Sequence, residues 1–338
     1  MVKGVGINGF GRIGRVFLRV FFERNSHSRK FDIKVINDPD GVSNAAYLFK
    51  HDSIYGMYNG KVEVDEKKSE IVINGKRIKV ISEREPSKIS WKKLGVDIVV
   101  ESTGAFTKKS DAMKHIKSGA KKVLITAPSD DAEVTVVPGV NDEALKKEHK
   151  IISMGSCTTN CLAPMIKVLN DNFGIERAFY NTIHAYTNDQ SLHDSHHRKI
   201  RRGRAAAENI VPTNSGASVS VTQTIHELEG KLNGLAIRIP VICGSITDLT
   251  AALKKPFTVS QVNEAFKKTA NGKMKGVLEY SEDELVSSDI IGNKHSCVLD
   301  SLSTMKDGNL IKILGWYDNE YGYSNRLVDL IKLFGGKK

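Results

Sequence analysis

The chain has 338 residues, too many for one typical hydrophobic core, which points to two domains that each bury a stable interior. Its 50 Lys and Arg against 39 Asp and Glu leave a net charge of +11, which suits anionic partners (phosphorylated metabolites, nucleotides, nucleic acids) without choosing among them. Four cysteines with no paired zinc spacing argue against a disulfide scaffold and against a metal site, and no run reaches the ~18 apolar residues of a membrane span.

Much of the excess charge lies in scattered pairs, Lys67-Lys68, Lys121-Lys122 and Lys146-Lys147, and reads as solvated surface. One stretch is denser: His196-His197-Arg198-Lys199-Ile200-Arg201-Arg202-Gly203-Arg204. Strand-like sequence follows Met1 directly, without a signal or transit pattern, so a cytoplasmic protein is expected.

In chain order, residues 2–7 read as a strand, 12–24 carry Ile13, Val16, Phe17, Val20 and Phe21 at helical spacing, and 31–36 read as a second strand. Between the first strand and the helix lies Gly9-Phe10-Gly11-Arg12-Ile13-Gly14, the G-x-G-x-x-G of a dinucleotide fingerprint. Glycines there allow a tight turn and a close approach of backbone to pyrophosphate, whose charge the helix N-terminus favours. That motif alone says little. Asp38 strengthens it by closing the second strand 24 residues after Gly14, near the roughly 20 expected for a carboxylate that accepts from ribose hydroxyls. Apolar runs at 71–73, 78–81, 96–100 and 122–125 continue the sheet. The last two end in Glu101-Ser102-Thr103-Gly104 and Thr126-Ala127-Pro128-Ser129, at the carboxyl ends where ligands of open parallel sheets gather.

Residues 150–154 form another apolar run leading into Gly155-Ser156-Cys157-Thr158-Thr159-Asn160-Cys161, and Leu162, Met165, Ile166 and Leu169 follow at helical spacing. Cys157 is therefore expected where a strand turns into a helix, a place that lowers a thiol pKa from roughly 8.5 and makes a nucleophile. On this segment alone, a buried packing cysteine is an equal reading. His184, in Ile183-His184-Ala185-Tyr186-Thr187, is the candidate base, although by itself it reads more readily as a core histidine. Together the two suggest oxidation of an aldehyde through a thioester. Pro164 predicts a kink in the helix, since its ring would meet the carbonyl of Asn160.

Beyond residue 156 the pattern changes to longer strands at 232–241, 246–253 and 310–316, with helices at 164–171, 218–228 and 258–269. A final helix at 324–334 opens on Ser324 as its cap. The expected fold class is α/β: a Rossmann-type dinucleotide-binding domain plus an α+β catalytic domain with a largely antiparallel sheet. The expected boundaries are 1–155 for the first, completed by a C-terminal helix at 320–338, and 156–319 for the second.

Four segments, Ile7-Asn8-Gly9-Phe10-Gly11-Arg12-Ile13-Gly14-Arg15, Ser156-Cys157-Thr158-Thr159-Asn160-Cys161-Leu162-Ala163-Pro164, His184-Ala185-Tyr186-Thr187-Asn188-Asp189-Gln190 and Trp316-Tyr317-Asp318-Asn319-Glu320-Tyr321-Gly322-Tyr323-Ser324-Asn325-Arg326, closely resemble phosphorylating glyceraldehyde-3-phosphate dehydrogenases. The resemblance runs from residue 2 to about 335. It implies that Cys157 attacks the aldehyde carbon, that His184 acts as the base, and that inorganic phosphate splits the resulting thioester. Two anion sites follow. The resemblance assigns Thr187, Asp189 and Arg238 to the substrate phosphate, with Asp189 orienting Arg238. Arg201, Thr158, Ser215 and Gly216 go to the attacking phosphate, and Ser156 stands with these phosphate-binding residues. For the cofactor it implies Asn8, Gly9, Phe10, Gly11, Arg12, Ile13, Asp38, Arg84, Ser102, Thr103, Gly104, Phe106 and Thr126, with Asn319 at the nicotinamide end. Asn319 alone would also pass as a turn residue. The segment from about 181 to 209 resembles a loop that lines the cofactor site of a neighbouring subunit, which implies a homotetramer.

The chain departs from the family pattern at two informative places. Ser215 stands where threonine is more frequent, and a hydroxyl is kept. Ser195-His196 stands where strictly NAD-linked members carry a bulkier apolar residue and proline, a pattern of the NADP-accepting branch. NAD is the expected cofactor, with secondary use of NADP. Two other readings are weighed: erythrose-4-phosphate dehydrogenase on the same scaffold, and a nucleic-acid-binding protein motivated by charge. Against the second, every catalytic position is filled and no nucleic-acid-binding motif occurs.

Overall fold

The computed structural model describes residues 2–25 and 30–336, so Met1 and the last two residues of the expected C-terminal helix lie outside it. Two compact units form. One comprises Met1–Val136, Glu143–Gly155 and Leu327–Lys338, the other Val137–Asp142 and Ser156–Arg326.

In the first unit the chain runs β1 (Lys3–Asn8), α1 (Arg12–Asn25), β2 (Phe31–Asn37), α2 (Val42–Lys50), β3 (Val62–Asp65), β4 (Glu70–Ile73), β5 (Lys76–Ile81), β6 (Ile98–Glu101), α3 (Lys109–Lys117), β7 (Lys122–Ile125), β8 (Val134–Thr135) and β9 (Ile151–Ser153). The nine strands form one sheet in the order β3-β4-β5-β2-β1-β6-β7-β9-β8. From β5 to β8 every pairing is parallel, while β3 and β4 add an antiparallel edge. Parallel strands covered on both faces need apolar side chains at successive positions, and all of β6 and the last three residues of β7 are buried. The chain leaves β1 toward β2 on one side and later places β6 on the other. That reversal opens a crevice at the carboxyl ends of β1 and β6.

The second unit contains α4 (Cys157–Phe173), β10 (Ile175–Ala185), β11 (Val211–Asn214), α5 (Ala217–Thr222), β12 (Leu232–Ile239), β13 (Ser245–Leu253), α6 (Val259–Asn271), β14 (Leu278–Ser281), β15 (Cys297–Asp307) and β16 (Leu310–Tyr317). Its seven strands take the order β11-β12-β10-β13-β16-β15-β14, with parallel pairing only at β10/β12 and β14/β15. Strict alternation in β13, Ser-Ile-Thr-Asp-Leu-Thr-Ala-Ala-Leu, buries every second residue and turns one face to the core. Helix α4 is buried on nearly all sides, which explains its apolar sequence on every face. A last helix, α7 (Tyr321–Gly336), follows.

A Rossmann-type sheet followed by a mostly antiparallel one matches the expected fold class. Several elements differ from their sequence reading. The helix expected at 218–228 is a six-residue α5 followed by a 3-10 turn at His226–Leu228. Helix α7 starts before Ser324, which is buried in its first turn; Asp318 Oδ1 takes the N–H groups of Glu320 and Tyr321 and does the capping. Helix α4 starts at Cys157, ahead of the start expected at 164, and holds Pro164 in its interior. Its missing N–H and ring cost about 3 kcal/mol in a helix interior, which the burial of Pro164 and its neighbours Ala163 and Met165 offsets. Sequence periodicity also missed α2, α3, and the eleven-residue strands β10 and β15.

Candidate active site

Ser156 is the N-cap of α4. Its Oγ accepts from the N–H of Thr159 at 3.0 Å, and its own N–H donates to Thr159 Oγ1 at 3.2 Å, closing a capping box. The serine read as phosphate-binding thus has its hydroxyl committed to starting the helix. That start makes Cys157 the first helical residue, partly exposed, with the N–H of Thr158 favouring its thiolate. Strand β10 brings His184 to it, 3 % exposed, with Nε2 at 3.3 Å from Cys157 Sγ.

The other imidazole nitrogen has two partners with opposite demands. The carbonyl of Ala185 lies 2.6 Å from Nδ1 and needs a proton there; Arg238 Nη1, also at 2.6 Å, needs a lone pair. With the proton on Nδ1, Nε2 is bare and faces the thiol as a base. With Arg238 donating to Nδ1, the proton sits on Nε2 and faces a thiolate. Arg238 also donates to Ala185 O at 3.0 Å, and its Nε is buried without a partner.

Burial pushes the Cys157 thiol up to about 11, against the pull of the Arg238 charge and of the Thr158 N–H and hydroxyl. Burial, then Arg238, pushes His184 down to about 3. Each shift opposes a lone charge. A proton moving from Sγ to Nε2 leaves the pair neutral overall and avoids most of that cost.

Thr158 has its hydroxyl 3.0 Å from that of Tyr317, which in turn lies 2.7 Å from Thr182 Oγ1. The Tyr317 ring stands edge-on to the imidazole of His184, with centroids 5.9 Å apart. Tyr317 stands in the motif at 316–326, where its sequence alone assigns it no role. A lone tyrosine at a strand end carries no local signal of the histidine it will pack on.

The basic residues divide differently from expectation. Asp189 pairs with Arg202, not with Arg238, and Arg202 Nε donates to Thr213 at 3.0 Å. Arg202 lies in the 3-10 turn Ile200–Gly203, nearer to the loop of Asp189 than β12 brings the Arg238 guanidinium, which turns to His184. Arg201, in the same turn, is exposed. Arg204 pairs with Asp194 at 3.0 Å. Ser215 accepts from Tyr180 at 2.9 Å beside Gly216, which precedes α5; Thr187 is half-buried. Asn319 Oδ1 accepts from Ser245 at 3.0 Å, so its amide N–H groups remain as the donating end. The turn duty belongs to its neighbour Asp318.

In the first unit, the fingerprint has the geometry a dinucleotide needs. Gly9 has φ of 89°, and a Cβ there would fall 2.7 Å from Thr103 N; a Cβ on Gly14 would fall 2.4 Å from Gly9 O. At Gly11 nothing lies within 4 Å of where a Cβ would stand, which leaves room for a phosphate against the backbone just before α1. Asp38, 8 % exposed, follows β2, and its Oδ1 accepts from Asp40 N at 3.1 Å. The aromatic ring of Phe10 is buried on Phe49, and the Arg12 guanidinium is held by Asp52 at 2.6 Å, so these two present backbone rather than side chain. Ile13 and Phe106 are half-buried, and Arg84, Thr103 and Gly104 are exposed. Ser102 Oγ donates to Gly9 O at 2.7 Å, and Thr126 Oγ1 donates to Glu101 O at 3.1 Å.

Residues 3–109 match the family model described as glyceraldehyde 3-phosphate dehydrogenase, NAD binding domain, and residues 156–319 match that of the C-terminal domain. The chain belongs to the glyceraldehyde-3-phosphate dehydrogenase family. A member from Streptomyces coelicolor is 52% identical over 340 residues, covering 100% of both chains. One from Bacillus subtilis is 50% identical over 98% of this chain and 97% of its own, and one from Geobacillus stearothermophilus is 48% identical over 100% and 99%. Its cofactor is NAD. No helix among the described residues is long and apolar enough to cross a membrane.

Proposed function

We propose that Cys157 and His184 carry the NAD-dependent oxidative phosphorylation of D-glyceraldehyde 3-phosphate to 1,3-bisphosphoglycerate, used in glycolysis and, in reverse, in gluconeogenesis. The observation that supports it most is the 3.3 Å approach of a thiol at the first turn of α4 to the imidazole of His184. As Cys157 Sγ attacks the aldehyde carbon, Nε2 takes the thiol proton, and the developing oxyanion meets N–H groups at the helix start. His184 returns that proton to the oxyanion, which gives the hemithioacetal hydroxyl, and takes it back as the carbon becomes the carbonyl of a thioester. Held at the fingerprint of residues 9–14, NAD would supply the oxidation as the hydride acceptor. Inorganic phosphate then attacks the thioester carbonyl and releases the acyl phosphate and the Cys157 thiolate, which regains a proton from His184.

Arg238, on the same imidazole, serves the substrate phosphate, and Arg201 with Ser215 serves the attacking one. Gly9, Gly11 and the start of α1 hold the pyrophosphate, Asp38 the adenosine ribose, and Asn319 the carboxamide. The protein works as a cytoplasmic homotetramer. Steady-state assays with NAD and with NADP, each with and without phosphate, test this reading. It fails if aldehyde-dependent NADH formation shows no requirement for phosphate or arsenate, or if erythrose 4-phosphate is the better substrate.

A further inference from the structure

Outside the catalytic pair, the first unit buries a carboxylate, that of Glu101, which the reaction does not use. Glu101 closes β6 at 2 % exposure. Sheet register sets it beside Asn8 at the end of β1, and Asn8 beside Asn37 at the end of β2. All three are buried, and they bond in a row: Asn37 Nδ2 donates to Asn8 Oδ1 at 2.7 Å, and Asn8 Nδ2 donates to Glu101 Oε2 at 2.6 Å.

The direction of each bond is set from both ends. Glu83 N–H, which can only donate, reaches Asn37 Oδ1 at 2.9 Å, and Glu83 O accepts from Asn37 Nδ2 at 2.7 Å. Those two fix the Asn37 amide, hence the Asn8 amide, and send a donor to Glu101. At the other end, Trp91 Nε1–H, which also can only donate, reaches His115 Nδ1 at 3.0 Å. The His115 proton is therefore on Nε2, 3.0 Å from Glu101 Oε2. Oε1 receives the Thr103 N–H at 2.9 Å and the Thr103 hydroxyl. Four donors thus converge on two oxygens of an acceptor-only carboxylate.

What this row joins is the set of loops after β1, β2, β5 and β6. We propose that Glu101 is a positioning residue for the dinucleotide, holding Asn8 and Thr103 in one geometry through an anchor that reaches back to Asn37, His115 and Trp91. The inference rests on reading Asn8, Gly9 and Thr103 as cofactor contacts. A buried carboxylate is costly unless its lone pairs are used, and here the donors that use them include Asn8 and Thr103, the groups that face the ligand. Gly9 needs that order, because its backbone packs against Thr103 too closely for any side chain.

Glu101→Gln tests it. The amide keeps the shape but accepts on one oxygen only, so two of the four donors face an NH2 group. Loss of that order should raise the Kd for NAD, read by calorimetry, by about tenfold, as expected for one or two displaced charge-assisted hydrogen bonds. In the cofactor-free protein, amide exchange of Thr103 should quicken, while the rate of Cys157 alkylation stays as in the parent. Trp91→Phe, which removes the donor that fixes His115 together with part of a buried ring, should raise the Kd by about two- to threefold and serves if Glu101→Gln does not fold. Parent-like Kd values for NAD in the folded variants, with or without a lower Tm, would overturn the proposal and leave the row as packing alone. Failure of the parent protein itself to bind NAD would instead sink the cofactor reading on which it rests.

Discussion

Arg238 Nη1 lies 2.6 Å from Nδ1 of His184, on the side of the imidazole away from Cys157. One guanidinium thereby faces the base directly and the nucleophile through it. Its charge pulls the thiol toward thiolate and opposes protonation of the imidazole.

Two anion sites served by different arginines should separate kinetically. Arg238→Ala is expected to raise the KM for the aldehyde phosphate and to move the pH midpoint of Cys157 alkylation upward, since the charge that favours thiolate is gone. Arg201→Ala, which removes an exposed donor, should raise the KM for inorganic phosphate with little change in alkylation. Equal changes in both constants in both variants would show that the roles are not divided in this way.

Cys157 is the one partly exposed cysteine; Cys161, Cys243 and Cys297 are buried. One equivalent of iodoacetamide should label Cys157 first and abolish activity in proportion. Peptide mapping that tied inactivation to one of the buried three would displace Cys157 as nucleophile.

His184→Asn keeps a polar side chain beside Cys157 and removes the proton acceptor. Turnover should fall by roughly 10²- to 10⁴-fold, the range of a positioned acid-base group, and alkylation at neutral pH should slow. A parent-like pH profile of alkylation in the variant would remove His184 from the role of thiol activator.

Acid stability follows from the same histidine. Buried and held down to about 3, His184 stays uncharged in the folded protein, whereas the unfolded chain takes up a proton below about 6.5. Its contribution is therefore complete above pH 6.5 and is lost as the pH falls toward 3. The urea midpoint of the parent should drop more steeply between pH 7 and pH 4 than that of His184→Asn. Parallel pH dependence of the two midpoints would mean that the folded imidazole titrates normally.

Cofactor choice sets Asp38 against the loop of Ser195. Asp38 is buried, which raises its pKa, and a 2′-phosphate in its place would meet a carboxylate of like charge. Pro39 adds neither a hydroxyl nor an N–H to hold that phosphate. Ser195 donates to Ser191 at 2.7 Å and must give up that bond to serve a ligand. NAD should be preferred, with measurable NADP activity that rises in Asp38→Gly and falls by a smaller factor in Ser195→Ala. A higher kcat/KM for NADP than for NAD in the parent would contradict the weight given to Asp38.

Local chain geometry is what the sequence decided alone. Gly9 must take a positive φ and lie against Thr103, so a glycine there is legible without any partner in view. Successive apolar residues in β6 and β7 announce parallel strands, and the apolar run at 150–154 followed by Leu162, Met165, Ile166 and Leu169 at helical spacing announces a strand-to-helix turn at Cys157. The likeness of four motifs to one family carried the rest of the functional reading, including His184, which no spacing in this chain ties to Cys157. Pairing was left to the tertiary structure. Asp189 takes Arg202 rather than Arg238, Tyr317 meets His184 across the sheet, and Asn37, Asn8, Glu101 and His115 line up only when β2, β1, β6 and α3 stand side by side. A guanidinium or carboxylate has several partners of the right charge within reach of its flexible stem, and the energies that choose among them depend on burial and register, which exist only once the sheets have formed.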